Sequence, residues 1–265
     1  MKAEWQEMRI GPAATEPAFV RIYDGGAHAR TAPVVLYLGG GAFQRAERPE
    51  TETPVARRLA ECGAFVMEAD CTGASSNIFP EALERTFGLL ASLNACRKTF
   101  GGTKSPLLIA GEEAGGNIAA GVALKARDQM PGELRGQILL SPMLDPLMVS
   151  GSIRRADEIG MLRRWSDGWS RYLRAACGLF HPYAAPCQCT RLARVAPALV
   201  MTADDDPLRD ETLGYADRLA AAGVAVRRQV LPAGSGWTGL YRNEEGPWLD
   251  AVADAFSSFV DTLKH

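Results

Sequence analysis

The sequence contains very little histidine. Its 265 residues include only His28, His181 and His265, and none lies between positions 182 and 264. Imidazole is the side chain that proteins most often use as a general base near neutral pH. His265 is the terminal residue, beyond the last predicted helix, and is a poor candidate to reach back. Chemistry that needs an imidazole in the C-terminal third is therefore unexpected.

Long apolar runs and clusters of one charge are also missing. No stretch approaches the roughly 20 apolar residues of a transmembrane helix. Charges interrupt the N-terminal sequence MKAEWQEMRI, which therefore lacks the apolar core of a signal peptide. The net charge is −2 and the Lys and Arg residues are scattered, so we expect neither nucleic acid nor a membrane surface as a partner. A cytoplasmic protein is the simplest interpretation.

The six cysteines form no recognisable site. Only Cys187 and Cys189 are close in sequence, and no other Cys or His stands at zinc-ligand spacing. We expect free thiols, mostly buried, and no metal. The G-x-G-x-x-G spacing and the lysine of a phosphate-binding loop are absent as well, so we expect no cofactor.

Short apolar runs alternate with segments of helical periodicity, which predicts a single α/β domain over residues 1–265. An antiparallel hairpin is predicted at 5–10 and 18–24, where apolar and polar residues alternate. Buried strands are predicted at 34–38, 64–67, 107–110, 137–140, 198–202 and 224–231. Helices are predicted at 80–98, 115–128, 207–222 and 252–263. About eight strands then form a mainly parallel central sheet with helices on both faces.

The interval 145–185 interrupts this alternation. It is rich in Arg and Trp and predicts a small inserted helical cap. We expect the cap to cover the carboxyl edge of the sheet, where ligands of such sheets bind.

Three motifs directly follow three of the predicted strands: G-G-G-A-F (39–43), G-E-E-A-G-G-N (111–117) and D-D-D-P-L-R-D-E (204–211). With S-P-M-L-D (141–145) and F-P-E-A-L (79–83), they resemble the signatures of the hormone-sensitive-lipase-like, or bacterial esterase, family of α/β-hydrolases. The resemblance covers roughly residues 30–263. It implies the α/β-hydrolase fold and the hydrolysis of carboxylic esters by a Ser-His-Asp triad beside an oxyanion hole.

The sequence departs from this family at the triad itself. Glu113 stands at the nucleophile position, whereas Asp206 keeps the carboxylate position. Trp237 or Thr238 occupies the place of the histidine. Leu38 replaces the first residue of the H-G-G-G signature, and T-G-A-S (72–75) replaces R-L-A-P. The sequence therefore predicts a degenerate triad without conventional serine-esterase activity.

Glu113 has three interpretations. As a carboxylate nucleophile it would form an ester that no histidine helps to hydrolyse. As a general base it would serve an elimination or a cyclisation without a covalent step. As a structural anion it would turn towards an oxyanion hole formed by Gly40, Gly41 and Ala114, and would block that hole.

Asp206 also has a structural alternative. Because Pro207 follows it, Asp206 reads as the N-cap of helix 207–222 with proline at the first helical position. The aromatic candidates for a ligand pocket are Phe43, Trp165, Trp169 and Trp237. Trp165 and Trp169 share one helical face with Tyr172, a spacing that packing explains as well.

Four functions remain open. The first is a pseudo-hydrolase that binds a small apolar or ester-like ligand or acts in regulation, as the resemblance to plant hormone receptors lacking the catalytic histidine implies. The second is an enzyme with Glu113 as its base, and the third is a residual carboxylic-ester hydrolase. The fourth is a structural partner or homodimer subunit, which the sequence neither supports nor excludes.

Overall fold

The computed structural model describes residues 4–8, 18–25, 31–44, 49–70, 78–100, 102, 104–174 and 180–263. His28, His265, Cys71, Cys177 and the T-G-A-S segment (72–75) lie outside the described residues. Among the described residues, no helix is long and apolar enough to cross a membrane.

The core of the fold is an eight-stranded sheet in the order β1-β2-β4-β3-β5-β6-β7-β8. Its strands are β1 (Trp5–Met8), β2 (Ala18–Asp24), β3 (Val34–Leu38), β4 (Phe65–Ala69), β5 (Leu107–Glu112), β6 (Leu134–Leu140), β7 (Ala198–Ala203) and β8 (Val226–Leu231). β1 pairs antiparallel with β2, and β2 antiparallel with β4, whereas all other pairs are parallel. The predicted mainly parallel sheet with an N-terminal antiparallel hairpin is therefore confirmed.

The helices cover both faces of this sheet, as the sequence predicts. They are α1 (Pro54–Glu61), α2 (Glu81–Phe100), α3 (Glu113–Gln129), α4 (Leu162–Tyr172), α5 (Arg209–Ala221) and α6 (Trp248–Thr262). One apolar cluster joins α2, α3 and α5 to the sheet, and a second joins α1 and α6 to its other face. Successive residues of β3 point to opposite faces, so Leu36 lies in the first cluster and Val35 in the second.

Several element boundaries differ from the sequence prediction; β6 begins at Leu134 rather than at 137, and α6 at Trp248 rather than at 252. β8 begins at Val226 rather than at 224, and α3 begins at Glu113 rather than at 115 because β5 runs directly into it. α5 begins at Arg209 rather than at 207. The Asp206 carboxylate accepts the Leu208 N–H at 2.7 Å, which closes a turn ahead of the helix. Asp206 is therefore not the N-cap residue, because Leu208 directly precedes Arg209, the first residue of the helix.

The predicted cap interval contains a short 3-10 helix (Ser152–Ala156) and α4, and a further 3-10 turn (Pro186–Gln188) follows it. Residues 175–179 of that interval lie outside the described part of the chain. α4 is strongly amphipathic in sequence and buries Trp165, Trp169 and Tyr172 against the body of the protein.

Four cysteines fall within the described residues, and all four are free thiols, as expected. The expectation that they are mostly buried is wrong. Cys189 is buried, Cys62 and Cys187 are partly exposed, and Cys96 is exposed on α2.

Candidate active site

Glu113 lies at the sharp junction between β5 and α3. Its φ of +49° falls in the left-handed region, which is uncommon for a residue with a side chain. A Cβ on Gly115 would lie 2.3 Å from the carbonyl oxygen of Leu38, so glycine is required where α3 approaches the end of β3. The junction thereby holds Glu113 beside the loop that follows β3, and the side chain is only 1% exposed.

Three N–H groups converge on the Glu113 carboxylate. Oε2 accepts the backbone N–H groups of Gly41 and Ala42, the latter at 2.9 Å, and Oε1 accepts the indole N–H of Trp165 at 2.5 Å. Glu113 forms no ion pair among the described residues. Backbone N–H groups that converge on one point form the kind of cradle that binds an oxyanion in acyl-transfer enzymes. Here the cradle holds a side chain of the protein itself.

The predicted hole residues Gly40 and Ala114 are in the same region but do not donate to Glu113 among the described contacts. The two backbone donors are Gly41, which is one of the predicted hole residues, and Ala42, which is not. The loop turns at this point, since Gly41 has φ +128° and Ala42 has φ +55°. Gly40 keeps a different role, because a Cβ there would lie 2.6 Å from Glu113 Oε2.

A second buried carboxylate, Glu112, lies next to Glu113 and was missed in the sequence. It accepts the hydroxyl of Tyr37, and its Oε1 accepts the N–H of Gly40 at 3.2 Å. Adjacent side chains at the end of a strand point to opposite faces, so Glu112 and Glu113 bind different donors of the same loop. The G-E-E sequence at the junction was the signal that could have identified it.

Asp206 lies in a separate, fully buried polar cluster. Its Oδ2 accepts the Ser141 hydroxyl at 2.6 Å, and its Oδ1 accepts the Tyr241 hydroxyl at 2.6 Å as well as the Leu208 N–H. Burial raises the pKa of Asp206 above its ordinary value of 3.8, while these hydrogen bonds act in the opposite direction.

Trp237, one of the two residues that the sequence places at the histidine position, lies beside this cluster. It begins a 3-10 helix (Trp237–Arg242), is almost fully buried, and donates its indole N–H to Ser141 Oγ at 2.8 Å. Trp237 thus reaches Asp206 through Ser141. Thr238 is half-buried and has no hydrogen bond to this cluster.

Tyr241 connects the two carboxylates and was also missed in the sequence. Its hydroxyl binds Asp206, and its ring meets the Trp165 ring edge to face at a centroid distance of 5.2 Å. Burial and the negative charge of Asp206 raise the pKa of Tyr241 well above 10.0, so its hydroxyl stays protonated near neutral pH. No local pattern indicates Tyr241, because residues four apart do not share a face of a 3-10 helix.

The predicted pocket aromatics are all buried side chains. The Phe43 ring stacks on Tyr172 at 4.2 Å and lies 5.0 Å from Trp169, while Trp237 packs on Trp248 at 5.5 Å. Trp165 lies between Glu113 and Tyr241. These contacts fill the space beside Glu113 with the protein's own rings.

Among the described residues, no imidazole contacts this site. His181 instead packs on the rings of Phe79 and Tyr183, at 4.7 and 5.2 Å. The site therefore combines a filled anion cradle with a buried acid whose partners are hydroxyl, indole and backbone groups.

Several known proteins are similar in sequence to this chain. Esterase LipI of Mycobacterium tuberculosis is 30% identical over 198 residues, which make up 74% of this chain and 62% of LipI. Carboxylesterase NlhH of the same organism is 29% identical over 227 residues, or 83% of this chain and 71% of NlhH. The Arabidopsis thaliana gibberellin receptor GID1C is 26% identical over 244 residues, or 86% of this chain and 69% of the receptor. The chain thus spans less than two thirds of the length of LipI.

Solved esterase structures have the same fold. An arylesterase matches with a TM-score of 0.79 and 25% identity, over 98% of this chain and 83% of that one. A bacterial heroin esterase matches with a TM-score of 0.80 and 24% identity, over 100% and 85%. A family model described as alpha/beta hydrolase fold matches residues 35–235, which is more than half of the chain. The chain therefore belongs to this α/β-hydrolase family and is related to its esterases and lipases.

Proposed function

We propose that this chain is a pseudo-hydrolase, which does not hydrolyse esters and acts as a small-molecule-binding or regulatory protein. The observation that carries the proposal is the position of the Glu113 carboxylate, which accepts the N–H groups of Gly41 and Ala42. In ester hydrolysis, such groups stabilise the oxyanion of the substrate. Here a carboxylate of the protein occupies that position.

Two further features support the loss of hydrolysis. A serine hydrolase needs a hydroxyl nucleophile and an imidazole that takes its proton, whereas the junction carries Glu113 and Asp206 binds Ser141 and Tyr241. Because Glu113 is part of the chain, its carboxylate has a high effective concentration at the cradle. It therefore competes there with any substrate. The cradle is therefore closed to an ester carbonyl while Glu113 remains in place.

The contacts of Glu113 also define the ligand chemistry that we propose. A ligand that enters beside Glu113 has to displace the Trp165 indole and replace its N–H, because a buried carboxylate oxygen without a donor is costly. The rings of Phe43 and Trp169 would then surround an apolar body. We therefore propose a small apolar molecule that carries a hydroxyl or an amide N–H. The similarity to a protein named a gibberellin receptor supports a receptor-like role.

The hydrolysis half of the proposal is tested with p-nitrophenyl acetate and butyrate. We expect the purified chain to match the uncatalysed rate, and Glu113→Ser to match it as well, because no base is available to activate the new hydroxyl. Glu113→Gln is the matched control, since it keeps the size of the side chain. Steady turnover that Glu113→Gln abolishes would identify Glu113 as a general base and overturn the proposal.

The binding half is tested with a panel of small apolar alcohols and amides. We expect at least one compound to raise the melting temperature in a saturable manner and to change the tryptophan fluorescence. The fluorescence change should disappear in Trp165→Phe and persist in Trp169→Phe. If no compound raises the melting temperature, the binding role fails, whatever the hydrolysis assay shows.

A further inference from the structure

Two cavities adjoin at the amino-terminal edge of the sheet, opposite to Glu113. The larger has a volume of about 520 Å³ and lies where β3, β5 and β6 begin. The residues that line it include Arg97, Lys104, Ser105 and Arg135. The smaller, of about 340 Å³, shares Arg135 and Leu263 with it.

Among the described residues, the larger cavity is lined by three cationic residues and by no carboxylate. Arg97 already forms an ion pair, since its Nη2 lies 3.6 Å from Glu133 Oε2. No ion pair is formed by Lys104 or Arg135 among the described residues. Three cations gathered around a cavity on a chain of net charge −2 make a local positive field that attracts anions.

The backbone directs Arg135 to this position. In the pairing of β5 with β6, Leu107 pairs with Leu134 and Leu108 with Gly136, so Arg135 is the additional residue of a β-bulge. A bulge changes the direction of a side chain and is common next to functional sites. Arg135 is exposed in a strand whose other residues are buried.

Ser105 supplies an independent observation. The residue lines the larger cavity and is 3% exposed, and its hydroxyl has no hydrogen-bond partner among the described residues. A buried hydroxyl without a partner is costly, and native proteins rarely leave one unsatisfied. A ligand oxygen in the cavity would satisfy it.

Helix dipoles explain only part of this arrangement. Arg97 lies in the last turn of α2, where a cation stabilises the helix without any ligand. Arg135 lies on a strand, and Lys104 lies in the segment before β5, so neither of them belongs to a helix end. The positions of these two residues need another explanation.

We propose that the larger cavity binds the phosphate group of a small phosphorylated molecule. Arg97, Lys104 and Arg135 contact the dianion, and the Ser105 hydroxyl donates to one of its oxygens. The apolar part of the ligand lies in the smaller cavity, where Ala123, Ala126, Met130, Leu134, Val195 and Pro197 provide an apolar lining. This site is independent of the function proposed for Glu113.

The test is calorimetric titration of the purified chain with inorganic phosphate, pyrophosphate and phenyl phosphate, with sodium chloride at matched ionic strength as the reference. We expect saturable binding of all three. Pyrophosphate should bind more tightly than phosphate because its charge is larger. Phenyl phosphate should bind more tightly than inorganic phosphate because its ring enters the smaller cavity. Equal affinity for phosphate and phenyl phosphate would overturn the assignment of that cavity.

Variants separate a specific site from the effect of net charge. Arg135→Glu should weaken phosphate binding by at least about tenfold, and Ser105→Ala by about threefold to tenfold. The control is Arg163→Glu, which makes the same change in charge on α4, at the opposite edge of the sheet, where the side chain is 94% exposed. It should retain affinity within about twofold. Circular dichroism without ligand checks that each variant folds.

Either of two results would overturn the proposal. One is that phosphate and pyrophosphate give no more heat than sodium chloride at the same ionic strength. The other is that Arg163→Glu weakens binding as much as Arg135→Glu does.

Discussion

Glu113 and Asp206 are both buried carboxylates at the carboxyl end of the sheet, but they are held by different kinds of donor. Glu113 binds two backbone N–H groups and an indole N–H. Asp206 binds two hydroxyls and one backbone N–H. Neither carboxylate forms an ion pair among the described residues, so hydrogen bonds alone offset the cost of burying each of them.

The difference shows how each position can change without loss of the fold. The backbone donors around Glu113 are fixed by the loop after β3, so the anion cradle persists whichever residue stands at the junction. The hydroxyls around Asp206 can rotate, and they would also tolerate a protonated acid. A retained aspartate at this position is therefore explained by its partners and is no sign of catalysis in itself.

We expect the largest effect at Asp206. Asp206→Ala leaves the hydroxyls of Ser141 and Tyr241 and the Leu208 N–H without their acceptor, and should lower the free energy of unfolding by about 3 kcal/mol. Urea unfolding measures the loss. The control Asp204→Ala removes an exposed carboxylate and should change stability by less than about 0.5 kcal/mol. Equal losses in the two variants would contradict a structural role for the cluster.

A somewhat smaller effect is expected at Glu113. Glu113→Ala empties the cradle and should lower the free energy of unfolding by about 2 kcal/mol, because Gly41, Ala42 and Trp165 lose their acceptor. Formate or acetate should then restore part of the melting temperature in a saturable manner. Sodium chloride at equal ionic strength is the reference, and wild type is the second control. Recovery no greater with formate than with chloride would show that the cradle does not bind anions.

Glu113→Gly tests the backbone at the same position. The variant empties the same cradle, but glycine adopts a φ of +49° without strain. It should therefore be more stable than Glu113→Ala by about 0.5–1 kcal/mol, as measured by urea unfolding. A less stable glycine variant would mean that the junction is not strained.

The sequence predicts the fold well because buried strands and close approaches of backbone are each indicated by residues that are adjacent in sequence. Apolar runs such as 107–110 mark buried strands, and glycines such as Gly115 mark a close approach of backbone. The boundary of α5 was wrong because Asp206 was interpreted from its neighbour Pro207 alone. Its partners Ser141 and Tyr241 are 65 and 35 residues away in sequence, and no local pattern reports them.

Within the site, too, local sequence patterns do not report contacts between residues that are far apart in sequence. Glu113, Asp206 and Trp237 were identified by their order after particular strands, and the structure brings Asp206 and Trp237 together through Ser141. Tyr241 was missed because its role depends on the side-chain direction of a short 3-10 helix, which sequence spacing does not fix. Gly41 was predicted as a donor, but Ala42 was missed, because its position depends on the turn of the loop after β3.

A moderate effect is expected at Trp165. Trp165→Phe removes the indole N–H that Glu113 accepts but keeps an aromatic ring beside Tyr241, and should cost about 1.5 kcal/mol. Trp169→Phe is the matched control, because it makes the same change of ring at a buried position without a bond to Glu113. Urea unfolding compares the two. If Trp169→Phe costs as much as Trp165→Phe, ring size rather than the hydrogen bond accounts for the loss.

The smallest effect is a pH dependence that belongs to Asp206. Burial raises its pKa in the folded chain above 3.8, so the folded state binds the proton more tightly than the unfolded state. The stability that this group contributes is then fully present below the unfolded pKa and is lost as the pH rises through the folded pKa. Asp206→Asn has no such group, so wild type should lose stability relative to this variant as the pH is raised above about 4.

Urea unfolding of both proteins between about pH 3.5 and 7 measures this difference, and groups shared by the two proteins cancel in it. If wild type gains stability relative to Asp206→Asn as the pH rises, the hydrogen bonds from Ser141, Tyr241 and Leu208 outweigh the effect of burial on the pKa of Asp206. Asp206 would then be held as an anion by the donors around it. If wild type instead loses stability relative to Asp206→Asn as the pH rises, the fold does not require the negative charge of Asp206. The fold then depends on the hydrogen bonds that Asp206 makes in the cluster.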